Sequence, residues 1–314
     1  MNELRRDPLT GRTVLFASGR AGRPNDFDQR RAAPPEQSSN GCPFCAGHES
    51  QTPPALAERL GPDGNWTQRV VPNKYPICGR RDSDVCAGAH EVLIESPRHI
   101  QTTSELGQEG LTGVLGVYGE RLSFWRADGR FPCRMAFKNF GASAGASLAH
   151  LHSQLVALPL LSNQQAIEAA LIAQHTAPAE AWRQWQEEEL SDARRIVAEG
   201  PGLVAFCPTA SRAAGELWLM PTEPTPFIEG TLADNADELA ALLYPLLARL
   251  EEQILPAGYN LIVSTAPTEG VLQDAFCWRI EVVPRVAALA GFELSSGMYI
   301  NTLPPEEAAA RYRG

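Results

Sequence analysis

Two histidines stand one residue apart in AHLHSQLVALP, residues 149–159. The run reads as a strand, and on a strand residues two apart share a face. His150 and His152 therefore sit side by side, with Leu151 opposite and Gln154 on the histidine face. A chain with six histidines in 314 residues has no packing need for two at that spot. Just upstream lies FKNFGASAGASLAH, residues 137–150, a loop of glycine, alanine and serine. Such a loop lets backbone N–H groups approach an anion closely. A phosphate cradle running into two imidazoles fits phosphoryl chemistry, since imidazole is a good nucleophile near neutral pH and its phosphoryl adduct is labile. Gln154 could donate a hydrogen bond to a phosphoryl oxygen. The plainer reading is a glycine turn ahead of a core strand that holds one satisfied histidine.

A second chemistry-bearing pair is Cys42 and Cys45 in CPFC. Two thiolates at this spacing can hold one tetrahedral zinc from a tight turn. Buried inert thiols and a redox pair are the alternatives, although a redox CxxC usually opens a helix after a strand and neither is evident here. A zinc site needs two more ligands, and His48, His90, His99, His150, His152 and His175 are the candidates.

The elements that would position these groups come next. HEVLIES (90–96), CRMAFKN (133–139) and HSQLVALP (152–159) read as strands. Leu106, Leu111, Leu115, Tyr118, Leu122 and Trp125 recur at helical spacing. The second half runs in a similar order. GELWLMPT (215–222) reads as a strand and residues 233–254 as a helix with Asp234 or Asn235 as N-cap. YNLIVSTA (259–266) and FCWRIEVVP (276–284) read as two more strands. Both last strands end in an apolar pair and proline, LVALP and IEVVP, which points to an internal duplication. Strands of this kind with long helices imply α+β architecture. Residues 163–175 and 180–199 read as helices, and Glu187–Glu189 as a solvated face. Residues 18–68 are rich in Pro, Gly and Arg and need an anchor, which a metal clip would supply.

The totals set bounds. A net charge of −10 and a pI near 5.2 argue against binding a nucleic-acid backbone. No window approaches the roughly 18 apolar residues of a membrane span, and the N-terminus has no apolar signal region. Seven scattered cysteines without an export signal read as reduced thiols in a cytoplasmic protein.

The pattern F-x-N-x-G-x3-G-x-S-x2-H-x-H-x-Q at 137–154 resembles the active-site strand of the galactose-1-phosphate uridylyltransferases, members of the histidine-triad superfamily. RRDPLTGR and SGRAGRP resemble the family's N-terminal signature, CPFC and SPRH (96–99) its zinc-ligand segments, and AGFELSSGMYIN its hexose-contacting tail. The resemblance runs over nearly the whole chain. It implies two histidine-triad-like halves, residues 1–165 and 166–314, sharing a mostly antiparallel sheet flanked by helices, in a homodimer. It implies His152 as the nucleophile, with Gln154, Ser147, Asn139 and Gly145 around the transferred phosphoryl group. Cys42, Cys45, His99 and His150 would hold one structural zinc. Arg20 and Arg23 would face a sugar phosphate, Asn73 would lie near the nucleoside, and Glu293 would bind sugar hydroxyls. A second metal site known in some relatives is expected to be absent, since the C-terminal half offers only His175, Cys207 and Cys277.

The implied activity is ping-pong nucleotidyl transfer between sugar 1-phosphates, with UDP-glucose and a hexose 1-phosphate as the family default. Where many of those enzymes have His-Pro-His, tyrosine and lysine, this chain has His150-Leu151-His152, Phe292 and Ala287. These details resemble the branch that includes the ADP-glucose phosphorylases, in which phosphate accepts an adenylyl group. A histidine-triad hydrolase, a dinucleoside-polyphosphate phosphorylase and a non-catalytic sugar-nucleotide binder are the other readings.

Overall fold

The runs read as strands pair into one ten-stranded sheet in the computed structural model, which describes residues 2–22, 41–79 and 87–314. In chain order, β1 (Glu3–Arg6) and β2 (Thr13–Phe16) precede β3 (Ala57–Leu60), β4 (Trp66–Pro72) and β5 (Ala89–Ile94). The long helix α1 (Thr103–Asp128) leads to β6 (Cys133–Phe140) and β7 (His152–Leu158). Helices α2 (Asn163–Ile172) and α3 (Pro178–Leu190) join this half to β8 (Ile196–Gly200), β9 (Leu203–Phe206) and β10 (Leu217–Pro221). Then come α4 (Ile228–Asp234), α5 (Ala236–Ile254), β11 (Tyr259–Ser264), α6 (Leu272–Ala275) and β12 (Arg279–Pro284). The chain ends with α7 (Gly291–Ser296), β13 (Tyr299–Asn301) and α8 (Pro305–Arg313).

The sheet order is β3-β4-β5-β7-β6-β11-β12-β10-β9-β8, antiparallel throughout. Read from either end, it follows the same path, and a long helix links the third strand to the innermost one on each side. This is the α+β duplication expected from the repeated strand order. The expected division at 165/166 falls inside α2. A separate small sheet, β1-β2-β13, ties the N-terminus to the tail.

One face of the large sheet carries the main core. Leu155, Ala157, Leu261, Val263, Ile280 and Val282 meet Val114, Tyr118 and Leu122 of α1 and Leu243, Leu247 and Leu250 of α5. Each such side chain, fully buried, stabilises the fold by about 1.5–3 kcal/mol. Helix α1 begins in a capping box between Thr102 and Glu105 and stops at Gly129, whose φ is 73°. The other face is divided. Over β9, β10 and β12 it is closed by α3 and α6, with Trp182, Trp185, Phe206, Trp218 and Phe276 in one cluster. Over β5, β7 and β6 it stays open, with His152 on it and His150 buried just before β7.

Two expectations about the middle of the chain are corrected. Helix α3 stops at Leu190, and residues 196–200 form an edge strand. Glu187 and Glu188 are exposed, but Glu189 is buried and paired with Arg195 at 2.5 Å. Trp182, Trp185, Gln186 and Glu189 follow the 3–4 spacing of one helix face, so Glu189 belongs to the buried side.

Candidate active site

The metal group forms where three separate segments meet. Cys42, Cys45, His99 and His150 bring their ligand atoms within 4.8 Å of one another. Sγ of Cys42 lies 3.5 Å from Nδ1 of His150, and Sγ of Cys45 lies 3.6 Å from it and 3.5 Å from Nδ1 of His99. Ligands at typical zinc–sulfur and zinc–nitrogen distances in a tetrahedron would be about 3.5–3.6 Å apart. The donor set and its spacing therefore fit a four-coordinate cation. His150 is fully buried, and its Nε2–H donates to the carbonyl of Ser96 at 2.8 Å. That bond sets the tautomer and turns the Nδ1 lone pair toward the thiols. Burial pushes the His150 imidazole down to about 4. Burial and then Cys42 push the Cys45 thiol up to about 11. The first already leaves the neutral imidazole that a cation binds, and a cation in the centre would offset the second by favouring thiolate. His48, another candidate ligand, instead donates from Nδ1–H to the Cys42 carbonyl at 2.7 Å and braces the CPFC turn.

His152 is next along the chain and serves a different place. Its Nδ1–H donates to the His150 carbonyl at 2.8 Å, leaving Nε2 with the lone pair. Burial holds the ring below its usual range, partly offset by that hydrogen bond. The imidazole is therefore neutral and nucleophilic near pH 7. It lines a cleft of about 730 Å³ together with Gln154, Ser147 and Asn73. The cleft's apolar wall is Phe44, Val71, Pro72 and Val92. The Phe44 ring lies 5.2 Å from the His152 ring. Phe44, one of the two residues between the paired cysteines, was not singled out from sequence, although its place in CPFC couples that turn to His152.

The loop before β7 is more self-contained than a simple anion cradle. The N–H groups of Ala144, Gly145 and Ala146 bond back to Gly141 and Ala142. Gly141 and Gly145 have φ of 80° and 90°, which the turn requires and side-chain-bearing residues resist. The amides of Ser147 and Leu148 have no partner among the described residues, and both residues line the cleft. Asn139 accepts from Asn260 Nδ2 at 2.8 Å, and the same amide donates to Ala144 O at 2.9 Å. Asn139 and Gly145 thus set the loop's shape from below.

The remaining candidates lie elsewhere. Arg20 is exposed near the N-terminus and does not line this cleft, and Arg23 falls outside the described residues. Glu293 accepts from its own helix start, Ala290 N, at 3.0 Å. It lines a separate cavity of about 210 Å³ with Asn260, Arg212 and Tyr299. His90 is not in the metal group. It stands beside Gln154, with Nε2 2.8 Å from Oε1.

Comparisons with known proteins bear on the family and the fold. The family described as "Domain of unknown function (DUF4921)" matches residues 80–312. The chain is 31% identical to the ADP-glucose phosphorylase of Arabidopsis thaliana over 330 residues, 98% of this chain and 91% of that protein. It is 27% identical to the galactose-1-phosphate uridylyltransferase of Streptomyces lividans over 335 residues, 99% of this chain and 86% of that one. Among solved structures, the Arabidopsis thaliana ADP-glucose phosphorylase with bound ADP-glucose superposes with a TM-score of 0.86 at 29% identity, covering 100% of this chain and 99% of that one. With the duplicated sheet and the histidine strand, these likenesses show that the chain belongs to the galactose-1-phosphate uridylyltransferase-like family, in which the DUF4921 domain and the ADP-glucose phosphorylases also fall.

Proposed function

We propose that this chain is a nucleotidyl-transferring enzyme that works through a covalent nucleotidyl-His152, with an ADP-sugar as donor and phosphate as acceptor. The observation that carries the chemistry is the neutral His152, its Nδ1–H held by the His150 carbonyl and its Nε2 left for the cleft it lines. The donor and acceptor follow from the ADP-glucose phosphorylase relative at 31% identity. In the first half-reaction, Nε2 attacks the α-phosphorus. The bond from that phosphorus to the bridging oxygen breaks, and sugar 1-phosphate leaves with the electron pair. In the second, a phosphate oxygen attacks the same phosphorus and the P–N bond breaks, giving the nucleoside diphosphate and free His152. The Gln154 amide, the Ser147 hydroxyl and the amides of Ser147 and Leu148 would donate to the non-bridging oxygens as their charge grows. The cleft, about 730 Å³, is of the size that encloses small ligands. Its apolar wall of Val71, Pro72 and Phe44 would flank the nucleoside, with Asn73 at that end.

The metal in this reading is zinc, held by Cys42, Cys45, His99 and His150. Four protein ligands leave no open position, so its role would be to clamp the N-terminal turn to the strand entry and not to activate water. Arg20 and Glu293 lie outside the His152 cleft of their own chain, and the proposed homodimer would allow a second copy to supply them. Arg23, which lies outside the described residues, is proposed for the same sugar-phosphate role as Arg20.

The family's uridylyltransferase activity is the second reading, favoured by the Streptomyces lividans relative at 27% identity. Product analysis separates them. ADP-glucose with phosphate should yield ADP and glucose 1-phosphate. Exchange between UDP-glucose and galactose 1-phosphate, without turnover of ADP-glucose, would replace the first reading by the second.

A further inference from the structure

His90 sits at the start of β5, opposite Val156 and diagonal to Gln154 of β7. It is buried, and three hydrogen bonds fix its surroundings. Ile77 N–H donates to its Nδ1 at 3.1 Å. Asn73 N–H donates to its backbone carbonyl at 2.9 Å. Its Nε2 lies 2.8 Å from Gln154 Oε1. A backbone N–H cannot turn away, so Nδ1 must be the acceptor and the ring proton of the neutral imidazole must be on Nε2. Nε2–H then donates to Gln154 Oε1. Asn73 Nδ2 also stands 3.0 Å from this nitrogen, but it brings another N–H to an atom that already carries a proton. Its Oδ1 is occupied by Tyr75 N–H at 2.8 Å. With Oε1 of Gln154 taken, its NH2 group is the end left over, and no partner among the described residues takes it up.

We infer that His90 is a positioning residue that fixes the amide of Gln154 with its oxygen inward and its NH2 toward the cleft, so that a rotatable glutamine acts as a fixed donor to the transferred phosphoryl group. The inference rests on the reading of Gln154 as a phosphoryl ligand in the proposed function. Without His90, the amide could present its oxygen to the phosphate, where it would repel charge in place of stabilising it. The same ring also ties residues 73–77 to the sheet, so positioning and plain support must be separated experimentally.

Two conservative variants do so. His90→Gln can place an N–H near the Nε2 position and reach Gln154. His90→Asn is shorter and can serve only the Ile77 side. The readout is the single-turnover rate of nucleotidyl transfer to His152 at saturating ADP-glucose, with thermal melting as a fold check. His90→Phe and His90→Asn should slow transfer about tenfold or more, while His90→Gln stays within about threefold of wild type. In a Gln154→Ala background, His90→Phe should add no further loss, since residues acting through one another are not additive. Retained rate in His90→Phe, rescue by Asn in place of Gln, or losses that multiply would overturn the inference while leaving the proposed function intact. Wild-type protein that transfers no nucleotidyl group would overturn the proposed function, and this inference with it.

Discussion

At the scale of single residues, two histidines, one in the bend before β7 and one at its first residue, are given opposite orientations by the carbonyls beside them. His150 spends Nε2–H on Ser96 and offers Nδ1 to the thiols, whereas His152 spends Nδ1–H on His150 and keeps Nε2. If the proposed roles hold, loss of any one of the four Cys/His residues should harm His152 indirectly. In His99→Ala or Cys42→Ser, zinc measured by elemental analysis should fall from about one per chain to near zero, and the melting temperature should drop. Full zinc content in either variant would place the metal elsewhere. The CPFC pair was legible in the sequence because its spacing is local and chemically specific, whereas His99 and His150, 54 and 108 positions from their cysteine partners, were picked out from the candidate histidines only through the resemblance. The role proposed for His90 was not legible, because it depends on Gln154, which lies diagonally across from it on a strand and 64 positions later in the chain. Glu293 and Arg20 were named through the resemblance, and within one chain neither lines the His152 cleft.

The elements repeat the same lesson about what spacing can carry. Strands β6, β7, β11 and β12 alternate or run apolar, and their pairing puts Asn139 against Asn260 at the centre of the sheet. Strand β4, WTQRVVP, hides its burial behind Arg69 and Gln68, which are buried because Arg69 bonds Glu58 at 2.9 Å and Thr52 at 2.7 Å. Strand β1 is mostly exposed and has no apolar face to read. At the junction of β6 and β11, Gly258 is irreplaceable for a steric reason. A Cβ there would fall 1.8 Å from the Phe140 carbonyl oxygen. Gly258→Ala should push the two strands apart, lower the unfolding midpoint in urea and slow transfer by shifting the 141–149 loop. An unchanged midpoint would mean that the junction has more slack than its geometry implies.

Over the whole molecule, the two halves of the sheet have parted in chemistry while keeping one topology. Aligning LVALP with IEVVP sets Arg279 of β12 against Gln154 of β7, and there the second half carries an ion-pair network where the first lines the His152 cleft. Glu281 pairs with Arg12 at 2.9 Å, Arg279 at 2.8 Å and Arg212, while Arg279 also holds Glu168 at 2.6 Å. Arg12 belongs to the RRDPLTGR signature, so this part of the signature locks the N-terminus onto the second half. Burial alone would raise the Glu281 carboxyl, but the three guanidiniums outweigh it and hold it far below the usual carboxylate range. Its stabilising contribution is therefore full above the unfolded value of about 4.3 and is lost as pH falls from there toward the depressed folded value. Glu281→Gln leaves buried arginines short of a partner and should cost about 3–5 kcal/mol at pH 7, read by urea denaturation. Its stability should also vary less with pH below about 4 than that of wild type. A loss under 1 kcal/mol would mean that the remaining glutamates and water absorb the charge. No helix among the described residues is long and apolar enough to cross a membrane.

The central claim is a covalent bond between His152 and a nucleotidyl group, and intact-protein mass spectrometry tests it most directly. Protein mixed with ADP-glucose, and separately with UDP-glucose, would be measured beside His152→Ala without added phosphate. The account predicts an added adenosine monophosphate from ADP-glucose, absent in the variant and lost from wild type once phosphate is supplied. An adduct that persists in His152→Ala, or no adduct from either donor in zinc-loaded folded protein, would contradict it.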